Sequence, residues 1–165
     1  MIKFFFQTIG VIFLLLVLSF SAWADFTGKV VKIADGDTIT VLDHYKVQHR
    51  IRLTGIDAPE RKQAFGSRSR QSLSKLVFGK RVIVKTNKRD RYGRVLGKIL
   101  INGTDVNKEQ LRRGMAWHGY LRDQTAADRI AYADVEKNAR KEQRGLWVDP
   151  NPLPPWKWRK LKKKQ

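Results

Sequence analysis

The stretch Val47-Gln-His-Arg-Ile-Arg-Leu-Thr-Gly-Ile-Asp-Ala-Pro-Glu60 decides the fold. Its first seven residues alternate as a half-buried strand does, with Val47, His49, Ile51 and Leu53 on the inward face and Arg50 and Arg52 outward. The run then ends in Asp57-Ala-Pro-Glu60, where Pro59 stiffens the backbone and keeps the residue before it extended. A strand that delivers carboxylates at its end gives this chain its architecture and its chemistry.

Upstream, Gly28-Lys-Val-Val-Lys-Ile33 and Thr38-Ile-Thr-Val-Leu42 flank Asp35-Gly36, a hairpin turn signal. Downstream, Lys80–Lys85 and Arg94–Ile101 supply two further strands, and Asn102-Gly103 another turn. Ser67 to Val77 carries a helical pattern ending near Gly79. Asn107 to Gly114 reads as a short helix. Asp123 to Arg144 reads as a long helix capped by Asp123, with an apolar stripe at Ala127, Ile130, Ala131 and Ala133 or Asp134, and ended by Gly145. Five strands with one inserted helix, followed by two more helices, predict an α+β fold: a five-stranded Greek-key barrel with three helices rather than a doubly wound sheet.

Composition narrows the partner. The 165 residues carry 34 Lys+Arg against 15 Asp+Glu, a formal charge of +19, and no cysteine. Disulfides, thiolate metal sites and a cysteine nucleophile are thereby excluded. The uncharged run Phe4 to Ala24, after Lys3 and ending in Ala22-Trp-Ala24, has the layout of a secretory signal cleaved after Ala24. An uncleaved anchor is the alternative, since an uncharged run of 21 residues is just long enough to span a bilayer. Without Lys3 the remaining charge is +18, of which Trp156–Gln165 holds six. A body this basic repels itself and suits a phosphate-rich polymer. The expected division is 1–24 signal, 25–148 barrel domain and 149–165 Pro-rich linker with a basic tail, the tail hanging free of the core. The tail also suits weak contact with an envelope or membrane surface. The expected location is the medium, periplasm or envelope of a bacterium, and the expected state a monomer.

Pairing the second and third strands antiparallel sets Asp37 beside Asp57 and Glu60 at one rim. Three crowded carboxylates repel unless something neutralises them, and a hard divalent cation with oxygen ligands, Ca²⁺ above all, does so in irregular loop geometry. Arg52 shares the strand and reaches toward this rim, although Arg50 has the same parity. Lys88-Arg-Asp-Arg-Tyr-Gly-Arg94 forms a basic turn suited to clamping phosphate. His44, His49 and His118 have no ligand spacing. The tryptophans at 117 and 147 read as packing groups.

Asp35-Gly-Asp-Thr38, Arg52-Leu-Thr-Gly-Ile-Asp-Ala-Pro-Glu60 and Asp90-Arg-Tyr-Gly-Arg94, in this order and spacing, resemble the staphylococcal-type thermonucleases. The resemblance runs from about Thr27 to Trp147 and includes Gly114-Met-Ala116 and Gly145-Leu-Trp147. It implies an OB-fold barrel with three helices and a Ca²⁺-dependent phosphodiesterase on DNA and RNA that leaves 3′-phosphate ends. By motif, it implies Asp37, Asp57 and the Ala58 carbonyl as Ca²⁺ ligands and Glu60 as the group acting on the attacking water. Arg52 and Arg94 would bind the scissile phosphate, and Tyr92, Arg91 and Tyr120 would lie near the nucleotide. Ala58 stands where threonine is frequent, Arg122 where a second tyrosine is expected, and the loop from Glu60 to Gly66 is shorter. The alternative is an OB-fold module that binds nucleic acid without cutting it. Such a module is expected to lack one or more of Asp37, Arg52, Asp57, Glu60 and Arg94, and all five are present.

Overall fold

The computed structural model describes residues 25–163; the expected signal segment lies outside them. Antiparallel pairing links β1 (Phe26–Asp35), β2 (Thr38–Asp43) and β3 (Gln48–Leu53) in sequence. β4 (Ile56–Asp57) follows as a two-residue strand, then β5 (Arg81–Arg89) and β6 (Val95–Ile101), which pair antiparallel. β1 also pairs with β5, and β3 runs parallel to β6 with Ile51 opposite Val95. That parallel contact closes the five-stranded barrel and removes its open edges. The architecture is the expected α+β barrel.

The inward faces of these strands make the core: Val30, Ile39, Val41, Ile51, Val84 and Ile99 are fully buried. Closure demands a small residue on β6. A Cβ at Gly97 would stand 3.0 Å from Val84 Cγ1 and 3.1 Å from Ile51 Cγ2, so glycine lets the two strands approach. β7 (Thr104–Asp105) extends the sheet edge, and β8 (Trp117–His118) pairs with β4, Asp57 opposite Trp117.

Helices plug the barrel and carry its rim. α1 (Gly66–Val77) buries Leu73 and Val77. α2 (Val106–Arg112) buries Val106 and Leu111, and its N-terminus is capped by Asp105, whose carboxylate accepts from Lys108 N at 3.0 Å. α3 (Ala126–Lys141) starts later than the sequence suggests. Its cap is Thr125, whose hydroxyl accepts from Asp128 N at 3.1 Å, while Asp123 ends a 3₁₀ turn over Leu121–Asp123. The Thr125-x-x-Asp128 spacing is a capping-box arrangement that outcompetes Asp123 two residues earlier. The buried stripe of α3 is partly displaced: Tyr132 and Ala139 face inward with Val135 and the expected Ala131 beside them, and Ile130 is exposed.

Beyond α3 a second apolar cluster forms from Trp117, Ala139, Leu146 and Trp147, the two indoles meeting edge-on at 5.2 Å. The tail does not hang free. Gln63 Nε2 donates to Leu153 O, Trp156 packs edge-on 6.4 Å from Trp117, and α4 (Pro155–Lys162) lies on the barrel rim. Pro155 occupies the first helical turn, where a missing N–H costs nothing. Among the described residues no helix is long and apolar enough to cross a membrane.

Candidate active site

The β2–β3 register places Thr38 opposite Arg52, and Leu53 N donates to Asp37 O at 2.8 Å. The start of β2 and the end of β3 therefore meet, as the alternation of the two strands predicts. β1 reaches this point through register shifts at Val30/Lys32 and Ile33/Asp35, irregularities of the kind that re-aim side chains beside functional clefts. A cleft of about 870 Å³ opens there, lined by Asp35, Asp37, Arg52, Asp57, Ala58, Glu60, Arg91, Tyr92, Arg94 and Tyr120. All nine residues singled out from the sequence border it.

Arg52 organises the floor. Its side chain is buried although alternation turned it outward, because β4, β8 and Tyr120 cover that end of the barrel. Nη1 donates to Leu53 O at 3.0 Å and Ile56 O at 2.8 Å and lies 3.1 Å from Asp37 Oδ2. Nη2 donates to Asp57 Oδ1 at 3.1 Å. Burial opposes the charged guanidinium, but Asp37 and Asp57 outweigh it and hold its pKa above the ordinary value. Asp37 Oδ2 also accepts from Ala58 N at 2.7 Å, which joins the β2 start to the residue after β4. Arg50 lies on the cleft's exposed margin, so depth separates the two arginines that parity left equivalent.

The carboxylates differ in environment. Burial raises the Asp57 pKa even against Arg159 and Arg52. Asp35, which sequence reading treated as a turn residue, lines the cleft and is pushed up to about 7 by burial and by the charge of Asp37. Among the described residues no three carboxylate or imidazole groups close on a single point. Asp37 and Asp57 are joined through Arg52, and Asp57 and Glu60 through Arg159. The donor set is hard oxygen throughout and already holds positive charge between its members, so it fits a cation such as Ca²⁺, with Asp37, Asp57 and the Ala58 carbonyl available to hold it.

The opposite wall is the β5–β6 turn. Asp90 Oδ1 accepts from Tyr92 N at 2.9 Å and Arg94 N at 3.0 Å, and Oδ2 accepts from Arg94 Nε at 2.7 Å. Burial alone would raise the Asp90 pKa, but these bonds, Arg94's above all, hold it below the usual carboxylate range. Because β3 and β6 run parallel, Arg94 emerges next to Arg50 and faces the same cleft as Arg52. Tyr92 is exposed, with Arg91 Nη2 donating to its hydroxyl at 2.7 Å and the Arg94 guanidinium 5.6 Å from its ring. Tyr120 stands across the cleft in left-handed backbone, its ring 5.0 Å from the Arg52 guanidinium.

Residues 50–149 match the staphylococcal nuclease homologue family. The chain is 46% identical over 158 residues to a micrococcal nuclease of Shigella flexneri, covering 90% of this chain and 88% of that protein. The chain belongs to the staphylococcal nuclease family. An uncharacterized endonuclease of Escherichia coli is 44% identical across 89% of this chain and 96% of its own length. The staphylococcal-like nuclease CAN1 of Arabidopsis thaliana is 43% identical over 69% of this chain and 34% of that protein.

Within this staphylococcal nuclease homologue, sequence reasoning missed Arg159 as well as Asp35 in the cleft. Arg159 of α4, beyond the matched residues, reaches Asp57 and Glu60. The available signal was weak: a proline at the first turn of a helix and a tryptophan, Trp156, that packs on Trp117, inside a segment whose charge suggested solvation or weak surface contact. The histidines take no part in this cleft. His49 pairs with Asp43, and His118 bonds Gln124.

Proposed function

We propose that the chain is a Ca²⁺-dependent nuclease that cleaves DNA and RNA and leaves 3′-phosphate ends. That it is an endonuclease, a hydrolase, rests on its family. The finer reading is supported above all by one observation: the buried Arg52 guanidinium bridges Asp37 and Asp57 on the floor of a cleft whose walls carry Glu60 and Arg94.

A phosphodiester repels nucleophiles, and its in-line transition state gathers charge on the equatorial oxygens. Arg52 and Arg94 present guanidinium groups from the floor and one wall, oriented in advance by Leu53 O, Ile56 O and Asp90. Preorganised donors of this kind stabilise charge that grows during the reaction more than charge already present. Glu60 accepts the proton of the attacking water as its oxygen bonds to phosphorus and the P–O5′ bond breaks, the departing 5′ oxygen taking a proton from solvent. When bound at Asp37, Asp57 and the Ala58 carbonyl, Ca²⁺ supplies further positive charge at the phosphate. Tyr92, Arg91 and Tyr120 flank the scissile group and offer ring faces and a phosphate contact to the neighbouring nucleotides.

Export follows from the layout of Phe4–Ala24, and fractionating cells that express the full chain checks it. The activity is checked by plasmid hydrolysis with purified protein in Ca²⁺, then with chelator, followed by phosphatase treatment of the product ends. Cleavage with Ca²⁺, none under chelator, and phosphatase-sensitive 3′ ends support the reading. Binding without cleavage under both conditions supports the non-catalytic module instead.

A further inference from the structure

Arg159 engages Asp57, one of the groups that the metal-binding reading gives to the cation, together with its neighbour Glu60. Its Nη1 donates to Asp57 Oδ1 at 3.2 Å and to Glu60 Oε1 at 2.8 Å. Its Nη2 donates to Asp57 Oδ2 at 2.8 Å and to Tyr120 Oη at 3.3 Å. Both Asp57 oxygens and one Glu60 oxygen are therefore engaged by a charge carried on the tail.

The approach is aimed by contacts that do not involve the carboxylates. Gln63 Nε2 holds Leu153 O, Trp156 lies against Trp117, and Pro155 starts the helix one turn before Arg159. The two guanidiniums of the site differ in their freedom. The Arg52 side chain is 9% accessible and bonded to main-chain carbonyls, whereas that of Arg159 is 38% accessible and bonded to side chains alone. A cation arriving at Asp57 displaces the one that can leave.

We propose that α4 is a strap whose Arg159 occupies Asp57 and Glu60 in competition with the divalent cation, so that metal binding and release of the tail are one event. This rests on the metal reading of the carboxylates given above. The strap offsets the repulsion between Asp57 and Glu60 before metal arrives and weakens the protein's apparent hold on it. Linkage requires reciprocity: whatever tightens the tail on the rim loosens the metal, and the reverse.

The test is calorimetric titration of Ca²⁺ into the purified wild-type protein, Arg159→Gln and Lys160→Gln, with no substrate present. Lys160 is exposed on the same helix, and its substitution removes the same charge. The expected result is binding about tenfold tighter in Arg159→Gln, the scale of a charge-assisted pair at a half-exposed site, and within about twofold of wild type in Lys160→Gln. Equal affinity in Arg159→Gln and wild type overturns the strap and leaves the metal site standing. Equal tightening in both variants also overturns it, since bulk charge then accounts for the effect. No saturable binding by wild type or by Arg159→Gln overturns the metal reading and the strap together.

Discussion

Arg52 and Asp37 form a buried ion pair at 3.1 Å that ties the end of β3 to the start of β2 through side chains of opposite charge. Removing one partner of such a pair strands the other without compensation, at a cost of about 3–5 kcal/mol. Arg52→Ala is therefore expected to destabilise the fold by that order, measured by urea unfolding, and to lower turnover about a hundredfold or more. Arg52→Lys is expected to recover little of either, because an ammonium cannot reach Leu53 O, Ile56 O and both carboxylates at once.

Asn107 is fully buried and serves three main-chain groups. Its Oδ1 accepts from Ile99 N at 3.1 Å, and its Nδ2 donates to Thr54 O at 2.9 Å and Gly97 O at 3.1 Å. It thus joins α2 to the barrel where β3 meets β6. Asn107→Ala leaves these groups without partners and should cost about 2–4 kcal/mol in denaturant unfolding. A loss under half a kcal/mol would show that water replaces the amide.

Gly66 opens α1 against the loop that carries Glu60. A Cβ there would lie 2.0 Å from Glu60 O, a main-chain atom that cannot swing aside as a flexible side chain does. Gly66→Ala is expected to move the Glu60 loop, destabilise the protein by about 1–3 kcal/mol and reduce cleavage about tenfold or more. Unchanged cleavage in a folded variant would separate Glu60 from the chemistry.

Glu109 reports on acid stability away from the cleft. Its hydrogen bond to Arg112, with Arg113 adding to it against the opposing effect of burial, lowers its pKa to about 2. The folded pKa lies below the unfolded one, so this stabilisation is present above about pH 4.5 and is lost as the pH falls from there toward 2. Arg112 is half exposed, so solvent screening leaves about 1 kcal/mol or less. Glu109→Gln should lose that amount at pH 6, and the gap to wild type should narrow steadily below pH 4.5 and close only near pH 2 and below. Parallel stability curves would contradict the assignment.

Much of the barrel was legible because each strand announces its own face by period, and Asp35-Gly36 marks the first turn. That Asp37, Asp57 and Glu60 line one cleft is what strand pairing predicts, although among the described residues no three carboxylates close on one point. Arg52 was misjudged in depth, since alternation gives a side and not what covers it; here β4, β8 and Tyr120 do. The cap of α3 is Thr125 and not Asp123, because both residue types cap well and the outcome depends on which following N–H groups come within reach. Ile130 was placed inward on a pattern of small residues that leaves the phase of α3 loosely set, and the large Tyr132, with its hydroxyl on Asp105 at 2.7 Å, fixes it instead. Arg159 lay beyond any local pattern. Its partners are 99 and 102 residues away, and a run of lysines gives no sign that one arginine among them is held against carboxylates.

The central claim is that Glu60, opposite the Arg52–Asp57 floor, acts on the water that cleaves the phosphodiester. Single-turnover hydrolysis of a labelled DNA oligonucleotide by Glu60→Gln, in saturating Ca²⁺, tests it most directly. The account predicts a rate at least about a hundredfold below wild type with substrate affinity retained. A folded Glu60→Gln protein that cleaves within twofold of wild type would contradict it.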